Sequence, residues 1–198
     1  MSAPLVLASA SPRRRELLAR LHPQFTVLPS DIPEEPRDGE PATTFARRVA
    51  RDKAVATARL RPDAIVLAGD TIVVKDGEIF GKPRDRAHAR SMLQSLAAAT
   101  HQVMTAVALL APEQPIVERL VVSEVRMRQI SPDEIESYLD SPEPWDKAGA
   151  YALQGQAGSF VTSVVGSQSN VIGLPLLEVA ELLRPHLAVG EVEDLVLR

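Results

Sequence analysis

Seven charged side chains in this sequence are of the types that polyphosphate chemistry needs. Arg13, Arg14, Lys53, Lys82 and Lys147 supply positive charge, and Glu34 and Asp70 supply carboxylates. Cations offset the charge of a phosphate chain, while a carboxylate holds a metal ion or takes a proton from an attacking water. Apart from the adjacent Arg13 and Arg14 they are far apart in the chain, so the elements that carry them must bring them to bear.

Arg13 and Arg14 follow a short apolar run, Leu5-Val-Leu7, and a Ser-rich turn that contains Ser9. The run reads as a buried strand. Ser11 stands where a helix N-cap belongs and Pro12 at the first helical position, so a helix is predicted over 12–21. Arg13, Arg14 and Arg15 then fill its first turn. A helix start already carries roughly half a positive charge, and each added cation there typically costs ~0.3–1 kcal/mol. Either the arginines point to water or an anion offsets them. Free backbone N–H groups and Arg forks suit a phosphate.

Lys53 lies on the helix predicted over 41–59. Ala42, Phe45, Val49, Ala56 and Leu60 share one face of it, and Arg47, Arg48, Arg51 and Arg59 the other. Lys53 falls inside the apolar stripe. It either snorkels to the edge or meets an anionic partner in a polar cleft. Asp70 and Thr71 stand at the end of the apolar strand Ala64-Ile-Val-Leu-Ala-Gly69, and Ile72-Val-Val74 continues extended. That place favours a catalytic acid in α/β folds, though an Asp there can also cap a turn. Glu34 belongs to a Pro-rich acidic loop, 29–36, which on its own reads as solvated.

A hairpin turn is predicted at Lys75-Asp76-Gly77-Glu78, and Lys82 lies in the loop after it. A helix over 85–96 turns Ala89, Met92, Leu93 and Leu96 inward. Strands over 101–110 and 116–128 read as an antiparallel hairpin. Ser131 and Glu134 form a capping box for a helix over 132–139. The connector 141–155 is weakly periodic and carries Trp145, Asp146, Lys147, Tyr151 and Gln154; such connectors often line sites. A strand over 159–165 precedes a Gly/Ser turn, 166–175, that opens a helix over 174–183. The turn could offer backbone N–H groups to an anion or to the first lobe. The tail 190–198 is assigned no element.

The 198 residues carry a net charge of −4, which excludes a global basic field for nucleic acid. Cysteine is absent, so thiolate chemistry and disulfides are excluded. No apolar run reaches the length of a membrane span and no signal peptide opens the chain, so the default expectation is a cytoplasmic protein. The four histidines have no metal-ligand spacing. P-loop, dinucleotide-binding and Ser/His/Asp elbow motifs are missing.

The sequence resembles the Maf family of nucleoside triphosphate pyrophosphatases, the septum-formation-inhibitor-like proteins. The resemblance covers nearly the whole chain. It rests on Leu7-Ala-Ser-Ala-Ser-Pro-Arg-Arg14, Asp31-Ile-Pro-Glu34, Lys53, Gly69-Asp-Thr-Ile-Val73 and Gly81-Lys-Pro83. Further on it rests on Asp146-Lys-Ala-Gly-Ala-Tyr151, Leu153-Gln-Gly155 and Val171-Ile-Gly-Leu-Pro-Leu176. It implies one α/β domain over 1–198 with a mixed sheet, its two lobes set around a central cleft, as in inosine-triphosphate pyrophosphatases. It also implies hydrolysis of a nucleoside triphosphate to the monophosphate and pyrophosphate with a divalent cation, Mg²⁺ first and Mn²⁺ as the alternative. The branch it is most similar to acts on dTTP and UTP. By position Asp70 is the proton acceptor, and Arg13, Thr71 and Gln154 are specificity positions. Two departures are Gly69, where many members have Ala, and Gln168, where Tyr is common.

The expected catalytic set is Asp70, Glu34 and Lys53, with Asp70 and Glu34 sharing the metal. Ser9, Arg13, Arg14, Lys53 and Lys82 are expected on the phosphates, and Thr71, Gln154 and Lys147 near the base. The expected partner is a small-molecule nucleotide, not nucleic acid or membrane, and a homodimer stays open. The expected role is nucleotide-pool sanitation, modified pyrimidines included, or cell-division arrest. A different class of reading is a nucleotide-binding regulator of septum formation with negligible hydrolysis. A receiver domain fits less well, because the acidic pair after the first strand is missing.

Overall fold

The computed structural model describes residues 3–187, so the tail 190–198 lies outside the described residues. In chain order the elements are β1 (Leu5–Leu7), α1 (Pro12–Leu21), β2 (Thr26–Val27), α2 (Ala42–Leu60), β3 (Ile65–Lys75), β4 (Glu78–Phe80) and α3 (Arg86–Leu96). They continue with β5 (Thr100–Leu110), β6 (Val117–Met127), α4 (Pro132–Leu139), β7 (Val161–Val165), α5 (Gln168–Ile172) and α6 (Leu176–Leu183). Three short 3-10 turns, Pro144–Asp146, Ala148–Ala150 and Gln156–Phe160, fill the connector between α4 and β7.

The sheet is mixed, with strands in the order β2-β1-β3-β5-β6-β7 and β4 against β3. β1 runs parallel to β2 and β3, whereas β4 is antiparallel to β3 and β7 to β6. Among the described residues no helix is long and apolar enough to cross a membrane.

The chain divides into two compact units, and β3, β5 and β6 contribute residues to both. The first unit comprises residues 3–70, 105–121 and 173–187 of the described chain. Its β1 and the first half of β3 pair as Leu5–Ile65, Val6–Val66 and Leu7–Leu67, and all six side chains are buried. α1 starts as its residues dictate: Ser11 Oγ accepts from the Arg14 N–H, and Pro12 needs no partner. It buries Leu17, Leu18 and Leu21. α2 buries Phe45, Ala46, Val49, Ala50, Lys53, Ala54 and Thr57. That stripe lies slightly to one side of the predicted one. Leu60, expected inside, is the last residue of the helix and is 67% exposed.

The second unit comprises residues 71–104 and 122–172. Its core joins Val73, Phe80, Met92, Leu93, Leu96, Val125, Met127, Ile135 and Tyr151. Arg86 and Arg90 of α3 both reach Glu136 of α4. α3 begins one residue later than expected, with Asp85 as its cap, and the expected Ser131–Glu134 box opens α4. The β3–β4 hairpin turns through Asp76 and Gly77, both at positive φ. That pair matches the tight turn Asp-Gly favours.

β3 runs unbroken through Asp70 and Thr71 and on through the extended stretch expected over 72–74, so the two residues stand inside one strand. One expectation needs correcting. The 166–175 segment contains a separate helix, α5, before α6 begins at Leu176 rather than Leu174. Pro175 cannot donate from within a helix, so it sits at the N-cap.

Candidate active site

In the first unit the predicted carboxylates and lysine converge. Lys53 Nζ lies 3.0 Å from Asp70 Oδ1 and 3.0 Å from Glu34 Oε1. The Lys53 side chain is 8% exposed and that of Asp70 10%, whereas Glu34 is 43% exposed. Lys53 therefore does not snorkel to water; it ends on two carboxylates. α2 aims the lysine inward from its apolar stripe, and β3 delivers Asp70 at the end of its buried run. Such a pair tolerates burial only while both partners stay, and losing one typically costs ~3–5 kcal/mol.

Glu34 sits on an irregular loop, and α2 holds that loop in place. The Arg48 guanidinium makes a fork to Glu40, 2.7 Å from Nε to Oε1 and 2.8 Å from Nη2 to Oε2. Its Nη2 also donates to the Glu35 carbonyl at 3.0 Å. The Arg37 N–H donates to Glu40 as well, at 3.0 Å. The hydrogen bonds from Arg48 hold the Glu40 carboxyl down at about 2. Arg48 read from sequence as one more cation on a polar face. Its role in fixing the Glu34 loop had no signal in the sequence.

The arginine-rich start of α1 resolves unevenly. Arg14 Nε donates to the Gly173 carbonyl at 2.9 Å, and Nη1 to Ser9 Oγ at 3.2 Å. Ser9, itself buried, also accepts from the Ser11 N–H at 3.2 Å. Burial lowers the Arg14 pKa; the Asp70 and Glu34 charges oppose that fall and Arg13 adds to it. Arg14 thus stands in the field of both carboxylates and ties the turn before α6 to α1. Arg15 is exposed, and Arg13 is half-buried beside it.

In the second unit Thr71 is half-buried on β3, while Lys82 and Gln154 are exposed on loops. Lys147 contacts the neighbouring Asp146. The Gly149 N–H donates to the Gly81 carbonyl at 3.0 Å, which ties the Lys147 segment to the Lys82 loop. Gly149 and Ala150 both have positive φ, 69° and 60°. A Cβ on Gly149 would meet Val73 at 3.1 Å, so only glycine fits that turn. Tyr151, which follows, is buried, and its hydroxyl lies 2.7 Å from His101 Nε2.

Two backbone donors of the 166–175 turn already have partners. Ser123 Oγ takes the Ser167 N–H at 3.0 Å, and Ser167 Oγ takes the Asn170 N–H at 3.1 Å. Gly166, at φ 108°, packs against Ser123.

No group of three or more His, Cys, Asp and Glu side chains among the described residues could hold a metal ion. The donor set nevertheless fits a hard divalent cation. Glu34 and Asp70 present carboxylate oxygens to one point that already holds a positive group. An ion such as Mg²⁺ is usually bound by one or two carboxylates plus substrate phosphates and water.

Comparison with known proteins matches this chain to a family model described as Maf-like protein, over residues 4–186. The dTTP/UTP pyrophosphatase of Yersinia pestis is 48% identical over 192 residues, 96% of this chain and 97% of its own length. That of Methylococcus capsulatus is 52% identical over 187 residues, 94% and 92%. That of Escherichia coli is 48% identical over 191 residues, 96% of each. Among solved structures, the Ham1 protein of Staphylococcus aureus shares the fold. The TM-score is 0.54 at 15% identity, covering 92% of this chain and 99% of that one.

Proposed function

This chain belongs to the Maf-like protein family, and on that premise we propose that it hydrolyses nucleoside triphosphates, dTTP and UTP foremost, to the monophosphate and pyrophosphate. The observation that carries the reading is Lys53 Nζ at 3.0 Å from both Glu34 and Asp70. Relatives about half identical in sequence bear the name dTTP/UTP pyrophosphatase.

Water attacks the α-phosphorus, and a proton passes from it to the Asp70 carboxylate. The bond from that phosphorus to the bridging oxygen breaks, and its electron pair leaves with pyrophosphate. The hydrogen bond from Lys53 holds Asp70 Oδ1 in place and supplies positive charge where the phosphate chain gains negative charge. Glu34 and Asp70 would hold a divalent cation. Such an ion, when bound, offsets phosphate charge and acidifies water. Two carboxylates against one ammonium leave one negative charge at that point, which suits a cation.

Ser9, Arg13, Arg14 and Lys82 take the phosphates in this reading. Arg14 does so while braced on Gly173. Thr71, Lys147 and Gln154 take the base, since each can hydrogen-bond a pyrimidine edge. With nucleoside triphosphates as its substrate, the protein works where that pool lies, in the cytoplasm.

The test is product analysis on a panel of nucleoside triphosphates with Mg²⁺ and with Mn²⁺. Monophosphate and pyrophosphate in equal amounts, fastest from dTTP or UTP, are the expected products. Release of orthophosphate alone would overturn the α-phosphorus assignment. Nucleotide recovered intact after binding would favour the regulator of septum formation.

A further inference from the structure

Glu143, in the connector after α4, is not among the charged residues that the reaction uses. Its carboxylate nevertheless accepts three hydrogen bonds. The Tyr138 hydroxyl donates to Oε1 at 3.0 Å, the Gln156 N–H to Oε2 at 2.8 Å and the Ala157 N–H to Oε1 at 3.3 Å. The last two donors open the 3-10 turn Gln156–Phe160, whose N-cap is Gly155 and has no capping side chain of its own. A carboxylate from earlier in the chain thus does the capping, where its charge also suits the exposed N–H groups.

The carboxylate sits directly on Gly155. A Cβ there would lie 2.2 Å from Glu143 Cδ, so the backbone beside Gln154 is pressed against this one group. The Gly155 N–H closes a turn onto the Ala152 carbonyl at 3.2 Å, and that turn contains Gln154. On its other side Glu143 is anchored by its own N–H, which donates to Ser141 Oγ at 3.3 Å. Pro144 follows and starts the turn that leads into Lys147, whose N–H donates back to the Pro144 carbonyl at 3.3 Å. One carboxylate therefore ties together the segments that carry Lys147 and Gln154.

We propose that Glu143 is the positioning residue for nucleobase selection: it fixes the Gln154 turn against the Lys147 segment and so sets the preference for the base. The proposal rests on the reading that Gln154 meets the base. Charge-assisted bonds from two backbone amides hold the turn more firmly than neutral ones, and a fixed turn is what selectivity by hydrogen bonding needs.

The experiment compares wild type, Glu143→Gln and Gln154→Ala on UTP and ATP, with amide hydrogen exchange on the free proteins. Glu143→Gln keeps the size of the side chain but points an NH₂ group at a donor. KM for UTP is expected to rise about tenfold or more with kcat within about threefold, and the preference for UTP over ATP to fall with it. Exchange at Gln156 and Ala157 is expected to quicken. Wild-type KM, preference and exchange in the variant would overturn the proposal. So would an equal loss of kcat on both nucleotides with KM unchanged, which marks a merely structural group. If Gln154→Ala leaves the preference intact, the reading of Gln154 fails; exchange at Gln156 and Ala157 then decides on Glu143, and unchanged exchange sinks it. Should Glu143→Gln not fold, Tyr138→Phe removes one of the three donors and is expected to shift KM in the same direction by about two- to threefold.

Discussion

The two units hold their chemistry by different means. In the first, Lys53 comes from the apolar stripe of a long helix and Asp70 from a buried strand. Ser9 and Arg14 flank a capped helix start. Regular elements aim these groups, and each aiming rule is local: helix periodicity, helix cap, apolar strand run. In the second unit Lys82, Lys147 and Gln154 ride on loops. What fixes those loops is non-local: the Gly149 N–H on the Gly81 carbonyl, and two amides on Glu143. In the proposed reading most of the charge that acts on phosphate sits on or beside regular elements, with Lys82 and Glu34 on loops as the exceptions. Of the groups proposed for the base, Thr71 is on β3, whereas Lys147 and Gln154 are on loops pinned by a few specific contacts.

The sharpest way to break this contrast is Asp70→Asn. The change keeps the shape and the oxygen facing Lys53 but removes the carboxylate proposed to accept the proton. General-base catalysis contributes about 10²–10⁴ in rate, so kcat on dTTP is expected to fall by that much with KM little changed. Steady-state assay of dTTP hydrolysis checks it. Turnover within a few-fold of wild type would mean that the first unit only binds.

That local-against-distant difference also decides what could be read from sequence. α1 came out at its predicted bounds because Ser11, Pro12, Leu17, Leu18 and Leu21 are all short-range signals. The inward Lys53 was visible as a cation within an apolar stripe, and Asp70 as an acid closing an apolar run. Glu34 was not separable from the other acids of its loop. Its position depends on Arg48 and Glu40, whose fork is a tertiary contact. Glu143 gave no sign at all, since Ser-Pro-Glu-Pro has no periodicity and the amides it caps lie 13 and 14 residues onward. α5 was missed because the sequence shows a Gly/Ser turn there. Ser123, on another strand, satisfies the amide that lets the helix form.

Gly149→Ala strikes the loop-borne side. A side chain at φ 69° costs ~1–2 kcal/mol, and pressing on Val73 at 3.1 Å adds ~1–3 kcal/mol. A fall in Tm of about 5–15 °C is expected, together with loss of pyrimidine preference. Calorimetry checks the first and a UTP/ATP comparison the second. A stable variant would show that the turn has a second conformation within reach.

His101 extends the contrast to pH. Burial, with Lys75 adding to it, pushes its pKa down from 6.5 to about 4, and Tyr151 is its hydrogen-bond partner. The unfolded chain therefore binds more protons between those values, so stability rises with pH across that window. It is complete above about 6.5 and is lost as pH falls toward 4, by ~3 kcal/mol at most. His101→Phe should flatten the Tm profile between those values. An unchanged slope would place the acid sensitivity in other groups.

The smallest expected effect returns to the first unit. A Cβ at Gly69 would meet the Ala106 carbonyl and Arg14 Nε at 3.4 Å and Val107 Cγ1 at 3.6 Å, all ordinary contacts. Gly69 has no positive φ. Gly69→Ala should therefore stabilise by ~0.4–1 kcal/mol, because it restricts the unfolded chain. Activity should stay within about twofold, since Arg14 keeps its bonds to Gly173 and Ser9. The same chemical change that breaks a loop in one unit is thus expected to be harmless in a strand of the other. A tenfold loss of activity with Tm held would mean that Arg14 needs the space over Gly69 during turnover, and that the strand-borne side of the site also moves.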